Sequence, residues 1–287
     1  MKLHHTKSSF RTQCMSDKVF DVVNVTLMVV LAAIFLWPLI FVLSASFSDP
    51  AAVTLGKVWL FPKGFTLEGY KAIFEYKNIW IGYKNTLIYT VLGTCINLVM
   101  TICAAYPLSR KDFRPGKLLS RMFMFTMFFS GGLIPSYMVV VNLGIYDTIW
   151  AMVLPSAVHF LYIIIMRTYF QTNIPQALFE AAELDGAGRI TILFQILLPQ
   201  VIPALVIVML FCFLGVWNDF LWPSVILDDY RSSTLTSGFY ILTGVYDAEQ
   251  ASLMAASIVS SLPIIAIYLV FQKYLFQGLS ISPGIKE

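Results

Sequence analysis

Glu180-Ala181-Ala182-Glu183-Leu184-Asp185-Gly186-Ala187-Gly188-Arg189-Ile190-Thr191-Ile192-Leu193-Phe194-Gln195-Ile196-Leu197-Leu198-Pro199 is a polar island between two long apolar runs. It holds Glu180, Glu183, Asp185 and Arg189 in a chain of which only 12% is charged. Unpaired charge is costly in hydrocarbon, so such an island stands in water and is read there by something else. Outward from it the chain is a membrane protein, and the island is a short polar interruption of it.

With 58% apolar residues over 287 positions and a mean hydropathy of +0.77, the chain is too apolar for a soluble domain. Such domains average about 45–50% apolar and about a quarter charged. The fitting solvent is a bilayer. A net charge of +3 leaves no nucleic-acid footprint. Cys14, Cys95, Cys103 and Cys212 form no CxxC pair and read as small buried hydrophobes. His4 and His5 read as a solvated tail, and His159 as a packed helical residue.

Six charge-poor runs follow one another: 22–48, 85–109, 122–146, 148–166, 190–218 and 251–272. The first is too long for the core of a signal peptide. Pro38 predicts a kink within it, and Ser130-Gly131-Gly132 and Pro135 break the third. Residues 67–74 have the spacing and aromatics of an interfacial helix. The reading is all-α, a polytopic membrane protein with six transmembrane helices. Its parts are a cytoplasmic segment 1–21, a transmembrane domain 22–276 containing the loop 171–199, and a cytoplasmic tail 277–287. Arg110, Lys111, Arg114, Lys117 and Arg121 crowd against two membrane ends. The positive-inside rule then puts both termini and the island on the cytoplasmic side of the membrane.

Residues 174–184 predict a short helix. Asn173 is placed to cap it, Pro175 suits its first turn, and Asp185-Gly186 ends it. Ala177, Ala181 and Leu184 share one face, and the small Ala181 and Ala182 allow close approach of another backbone. A second helix, 190–198, runs to Pro199. An ordinary amphipathic helix at the interface is the alternative on pattern alone.

Glu180-Ala181-Ala182, three residues, Gly186, nine residues, Ile196, one residue and Leu198-Pro199 resemble the EAA loop of permease subunits in bacterial binding-protein-dependent ABC importers. The resemblance implies that family's permease fold and a coupling helix docked on an ATPase, carried by Glu180, Ala181, Ala182, Asp185 and Gly186. Gly188 and Gln195 depart from the Ser and basic residue frequent there. The Trp217–Pro223 stretch and the Gly278–Ser280 tail resemble the carbohydrate branch and its maltose-type second permease. Residues 129–136 and 147–151 resemble a sub-branch for oligosaccharides from complex or acidic polysaccharides, such as alginate or pectin. Implied partners are a second permease, two ATPase subunits that bind ATP and Mg, an extracytoplasmic binding protein, an oligosaccharide and membrane lipid. No cofactor is implied in this chain, which is not itself an enzyme.

Candidates for the translocation path are Gly131, Gly132, Trp217, Asn218, Asp219 and Trp222. Indoles offer flat faces to sugar C–H surfaces, and an amide or carboxylate binds hydroxyls. An aromatic belt is the alternative for the tryptophans, and close helix packing for the glycines. There is no G-x-x-x-x-G-K-[ST], so ATP binds elsewhere. No Ser/His/Asp or metal-ligand cluster appears. An ABC permease for a non-sugar solute and a secondary transporter stay open, though the latter needs matched broken helices or intramembrane carboxylates. A membrane enzyme or channel would need polar groups converging at mid-depth, and these are scarce. The runs contain no Lys or Arg, which favours neutral sugars or a partner that supplies the charge.

Overall fold

The apolar runs fold into helices, and no strand occurs among the described residues. A computed structural model describes residues 15–110, 112–129, 131–229, 231–245 and 250–280. The helices are α1 Met15–Ser46, α2 Pro50–Thr54, α3 Glu68–Glu75, α4 Lys77–Ser109, α5 Gly116–Phe128, α6 Leu133–Asn142 and α7 Ile149–Val153. Then come α8 Phe160–Asn173, α9 Gln176–Leu184, α10 Arg189–Gln200, α11 Ile202–Trp217, α12 Leu221–Ile226, α13 Leu235–Val245 and α14 Gln250–Ser280. Most of the N-terminal segment, Cys14, His4, His5, Lys111, Ser130 and the last residues of the tail lie outside the described residues.

Three helices are long and apolar enough to cross a membrane: Lys18–Ser46, Lys77–Ser109 and Gln250–Leu275. Counting each of the bent pairs α5–α6, at 113°, and α10–α11, at 81°, as one broken span gives five among the described residues. The remaining expected span, the fourth run 148–166, is not one helix. Pro155 has no N–H to give the Ala151 carbonyl, so α7 stops at Val153 although Leu154 keeps helical backbone. The chain resumes as α8, which carries Arg167 in its interior and ends at Asn173. Ser156 Oγ turns back on the carbonyls of Met152 and Val153. The Ser156 carbonyl accepts from Asn97 Nδ2 at 2.9 Å. Irregular backbone at this depth is thus satisfied by a neighbouring helix.

The chain forms two compact units. In the first, Met1–Lys71 with Glu249–Ile258, the apolar stretch of α1 is 0% buried and continues through Pro38. Below it Ala45, Val53, Val58 and Ala251 make a small core. Ser44 Oγ donates to the Leu60 carbonyl at 2.6 Å, and Ser48 Oγ accepts from Lys63 N. A Cβ on Gly69 would lie 3.0 Å from the Ala251 carbonyl oxygen, so the approach requires glycine.

In the second unit, Ala72–Ala248 with Val259–Glu287, α4 is the central element and packs on α8, α11 and α13. Its buried residues are Ile79, Gly82, Thr86, Tyr89, Thr90, Gly93, Thr94, Asn97, Thr101, Ala105 and Leu108. Small and hydroxyl residues at helical spacing let helix backbones meet where lipid supplies no hydrophobic drive. At one end α4 holds the segment 231–235. Asn85 Nδ2 donates to the Arg231 and Ser233 carbonyls, Tyr89 OH to Ser232 O, and Leu235 N to Thr86 Oγ1 at 2.8 Å. Cys212 is buried, but Cys95 and Cys103 are exposed on α4, contrary to their reading as buried. His159 is exposed ahead of α8 and stacks on Tyr162, rather than being packed within a helix.

Candidate coupling site

α9 begins later than its sequence spacing predicts. Ile174 precedes Pro175 and takes extended backbone, so α8 must end before it. Asn173 does not cap α9: its Nδ2 donates to the Tyr169 carbonyl and to Thr172 Oγ1 at the end of α8. Pro175 stands one residue ahead of α9. The C-terminus matches the reading. Gly186 has φ +77, its N–H meets the Glu183 carbonyl, and the Ala187 N–H meets the Ala182 carbonyl at 2.9 Å. These two bonds are the Schellman closure. A Cβ at Gly186 would touch nothing within 4 Å, so the residue is needed for its φ and not for space.

The helix has two faces. Phe179 and Ala182 are buried with Ile174 in a cluster that includes Leu108, Met166, Phe170, Ile192 and Leu197. Ala182 is therefore a packing residue at 6% exposure and is not open to another backbone. Ala177, Glu180, Ala181 and Asp185 face outward, and Leu184 is 89% exposed. The knob is firmly rooted and presents one acidic and one apolar edge.

Past Gly186 the second helix starts at Arg189. Gly188 offers no side-chain cap. Residues Ile192–Leu197 widen into a π-helical turn, and α10 meets α11 at 81°. Pro203 lacks an N–H, and in a continuous helix its ring would clash with the Pro199 carbonyl. The fifth run is thus a leg plus a span.

Arg110, at the C-terminal end of α4, binds the knob from the side. Its Nη2 donates to Glu183 Oε1 at 3.0 Å, its Nε to Asp112 Oδ1 at 3.2 Å, and its guanidinium lies 4.4 Å from the Phe179 ring centroid. Gln171 Nε2 adds a bond to the Ser109 carbonyl. A cleft of about 850 Å³ opens here, lined by Arg110, Gln171, Ile174, Phe179, Glu180 and Glu183. Sequence spacing gave no sign of the Arg110–Glu183 pair, whose members are 73 residues apart.

The path candidates fall into two groups. Trp217 is 3% exposed, stacks on Phe213 and donates Nε1–H to the Ser260 carbonyl. Trp222 donates Nε1–H to the Ala151 carbonyl at 2.9 Å. Asp219 Oδ1 accepts from Trp222 N, and its own carbonyl accepts from Thr236 Oγ1. Burial raises the Asp219 carboxyl above its ordinary pKa, and the Trp222 N–H opposes that shift. Trp217 thus fastens α11 to α14, Trp222 fastens α12 to α7, and Asp219 holds the turn between α11 and α12, while Asn218 is exposed. A Cβ on Gly132 would meet nothing within 4 Å, and on Gly131 only the Pro135 ring. Close packing within this chain therefore does not explain the glycines. Gly132, at φ +85, starts α6 in a conformation that glycine favours.

A family model described as the binding-protein-dependent transport system inner membrane component matches residues 78–281. The chain is 32% identical to Protein LplC of Bacillus subtilis (strain 168), over 98% of this chain and 97% of that one. It is also 32% identical to the Bacillus subtilis polygalacturonan/rhamnogalacturonan transport system permease protein YtcP, over 92% and 97%. A solved chain superposes with TM-score 0.84 at 32% identity, covering 92% of this chain and 99% of its own. It belongs to a bacterial ABC transporter involved in the import of the acidic polysaccharide alginate.

Proposed function

The chain belongs to the inner membrane components of binding-protein-dependent transport systems, and on that premise we propose that it carries oligosaccharides derived from acidic polysaccharides. It is a transport permease and not an enzyme. The observation that carries the substrate reading is the agreement of two relatives similar over nearly their whole length. One is named for polygalacturonan and rhamnogalacturonan, and the other belongs to an importer of alginate. All three polymers bear carboxylates. Arg167 lies inside α8, so this chain's helices are not without a cation, as the run boundaries had implied.

In this reading the exposed edge of α9, with Glu180, Ala181, Asp185 and Gly186, docks on an ATPase that binds ATP and Mg. The apolar stretch of α1 and the apolar residues Phe128, Phe129 and Ile134 are exposed. They are the surfaces available to a second permease and to lipid. Arg110 meets the knob, and Arg114, Lys117 and Arg121 follow it closely along the chain, which favours a cytoplasmic position for the knob. Asn218, Gly131 and Gly132 remain candidates for lining the path.

The test is gentle purification from the native membrane with identification of what accompanies the chain. A second permease, an ATPase and a binding protein that captures oligogalacturonate or oligoalginate are expected. A binding protein that captures only neutral sugars would overturn the acidic substrate. A chain that emerges without an ATPase would overturn the coupling site.

A further inference from the structure

The knob has two covalent routes into the membrane: Ile174-Pro175 leads to α8, and Ala187-Gly188 leads through α10 to α11. Arg110 adds a third route that the chain order does not supply. Its guanidinium is shared among Glu183 on the knob, Asp112 beside it and the ring of Phe179. A planar fork bound to a carboxylate and lying over an aromatic face fixes orientation as well as distance. Its side chain is only 20% exposed, so the contact is better shielded than a surface ion pair.

What Arg110 grips with is the end of α4. This helix is unbroken over 33 residues, about 50 Å at the rise of an α-helix. At its other end Asn85, Thr86 and Tyr89 hold the backbone of residues 231–235 by four hydrogen bonds. Near Gly82 the two backbones are so close that an added Cβ would stand 2.9 Å from the Thr234 carbonyl oxygen. A rigid rod clamped at both ends moves at both ends.

We propose that Arg110 is a positioning residue that locks the coupling helix α9 to α4, so that displacement of α9 is delivered along α4 to the segment 231–235. The proposal rests on the reading of α9 as the ATPase-docking helix. It adds a residue outside the EAA loop to the transmission and names the far end where the motion arrives.

The test uses the assembled transporter with its second permease and ATPase, with the cysteines of this chain replaced by alanine and Ser232→Cys introduced. The rate of maleimide labelling at that cysteine is measured with and without ATP plus vanadate. Trapping is expected to change the rate about fivefold in the otherwise unaltered chain, within the range of single-residue coupling effects. Arg110→Glu abolishes the change while the ATPase still co-purifies, and Arg110→Glu with Glu183→Arg restores it. A merely structural role for Arg110 would not give that rescue. A full response in Arg110→Glu overturns the proposal, as does failure of the double variant to recover when each single variant has lost the response. Should Arg110→Glu prevent assembly, Glu183→Gln at the half-exposed partner must blunt the response, and an unchanged response overturns the proposal. Glu180→Lys separates the two readings. If it abolishes the response and Arg110→Glu does not, only the Arg110 route fails. If neither variant affects it, the docking of α9 fails too.

Discussion

Gly186, Gly82 and Trp222 show three different ways in which one residue holds this protein. Gly186 supplies a left-handed φ in open space. Gly186→Val is expected to cost about 1–2 kcal/mol at the end of α9. The protein should still insert, and the measurement is ATPase retained on purification, which should fall. Gly82 supplies absence of volume against the backbone of Thr234 and Leu235. Gly82→Ala forces two backbones apart, so the melting midpoint of the detergent-solubilised complex should fall by several degrees; an unchanged midpoint would contradict the close approach. Trp222 supplies a donor to the Ala151 carbonyl. Trp222→Phe keeps an aromatic ring but loses part of its area and orphans that carbonyl, at a cost of about 1 kcal/mol or more. If Trp222 instead served as a sugar platform, Trp222→Phe would alter transport specificity and leave stability alone. Asp219→Asn retains an acceptor for Trp222 N and should preserve uptake, whereas Asp219→Ala should not.

Among the elements, α4 explains most of the second unit. Its amphipathicity is inverted relative to a soluble helix: hydroxyls and glycines face the protein, and Leu87, Ile88, Val91 and Val99 face out. Asn97 is its most consequential polar residue, because the break between α7 and α8 leaves the Ser156 carbonyl in need of a donor. Asn97→Leu should destabilise by about 1 kcal/mol, near the measured scale for hydrogen bonds between membrane helices. Thermal unfolding of the complex reads that loss, and Asn97→Gln or Asn97→Ser should recover part of it. α9 illustrates the opposite design. It is nine residues long and would not persist alone in water. Phe179 and Ala182 in a buried cluster and the Arg110 contacts give it its rigidity.

At the scale of the whole molecule, exposed apolar surface is the dominant fact. α1 buries none of its apolar stretch, and Phe125, Phe128, Phe129 and Ile134 are open. Lipid satisfies such surface as well as protein does, so exposure alone does not distinguish the two. The expectation is that α1 packs on the second permease. Crosslinking from Phe35→Cys to that subunit should succeed in the assembled transporter, and crosslinks formed only to lipid would contradict it.

The sequence by itself determined the solvent, the helical class, the breaks at Gly132 and Gly186, and the family through the spacing of the island. Those features depend on local chemistry: hydropathy over a window, a φ that only glycine takes readily, and residues close together along the chain. It also placed Asp185-Gly186 correctly at the end of α9, because a helix stop is a local event. Only the tertiary structure decided which side chains face the core. It turned Ala182 inward and Leu184 outward, took the cap away from Asn173, split the fourth run at Pro155, and employed Trp217 and Trp222 as donors to distant carbonyls. It alone brought Arg110 to Glu183 and Asn97 to Ser156. The physical reason is separation along the chain. An unpaired buried carbonyl or guanidinium is satisfied by whichever group the packing of helices brings within about 3 Å, and no pattern along the chain encodes that neighbour.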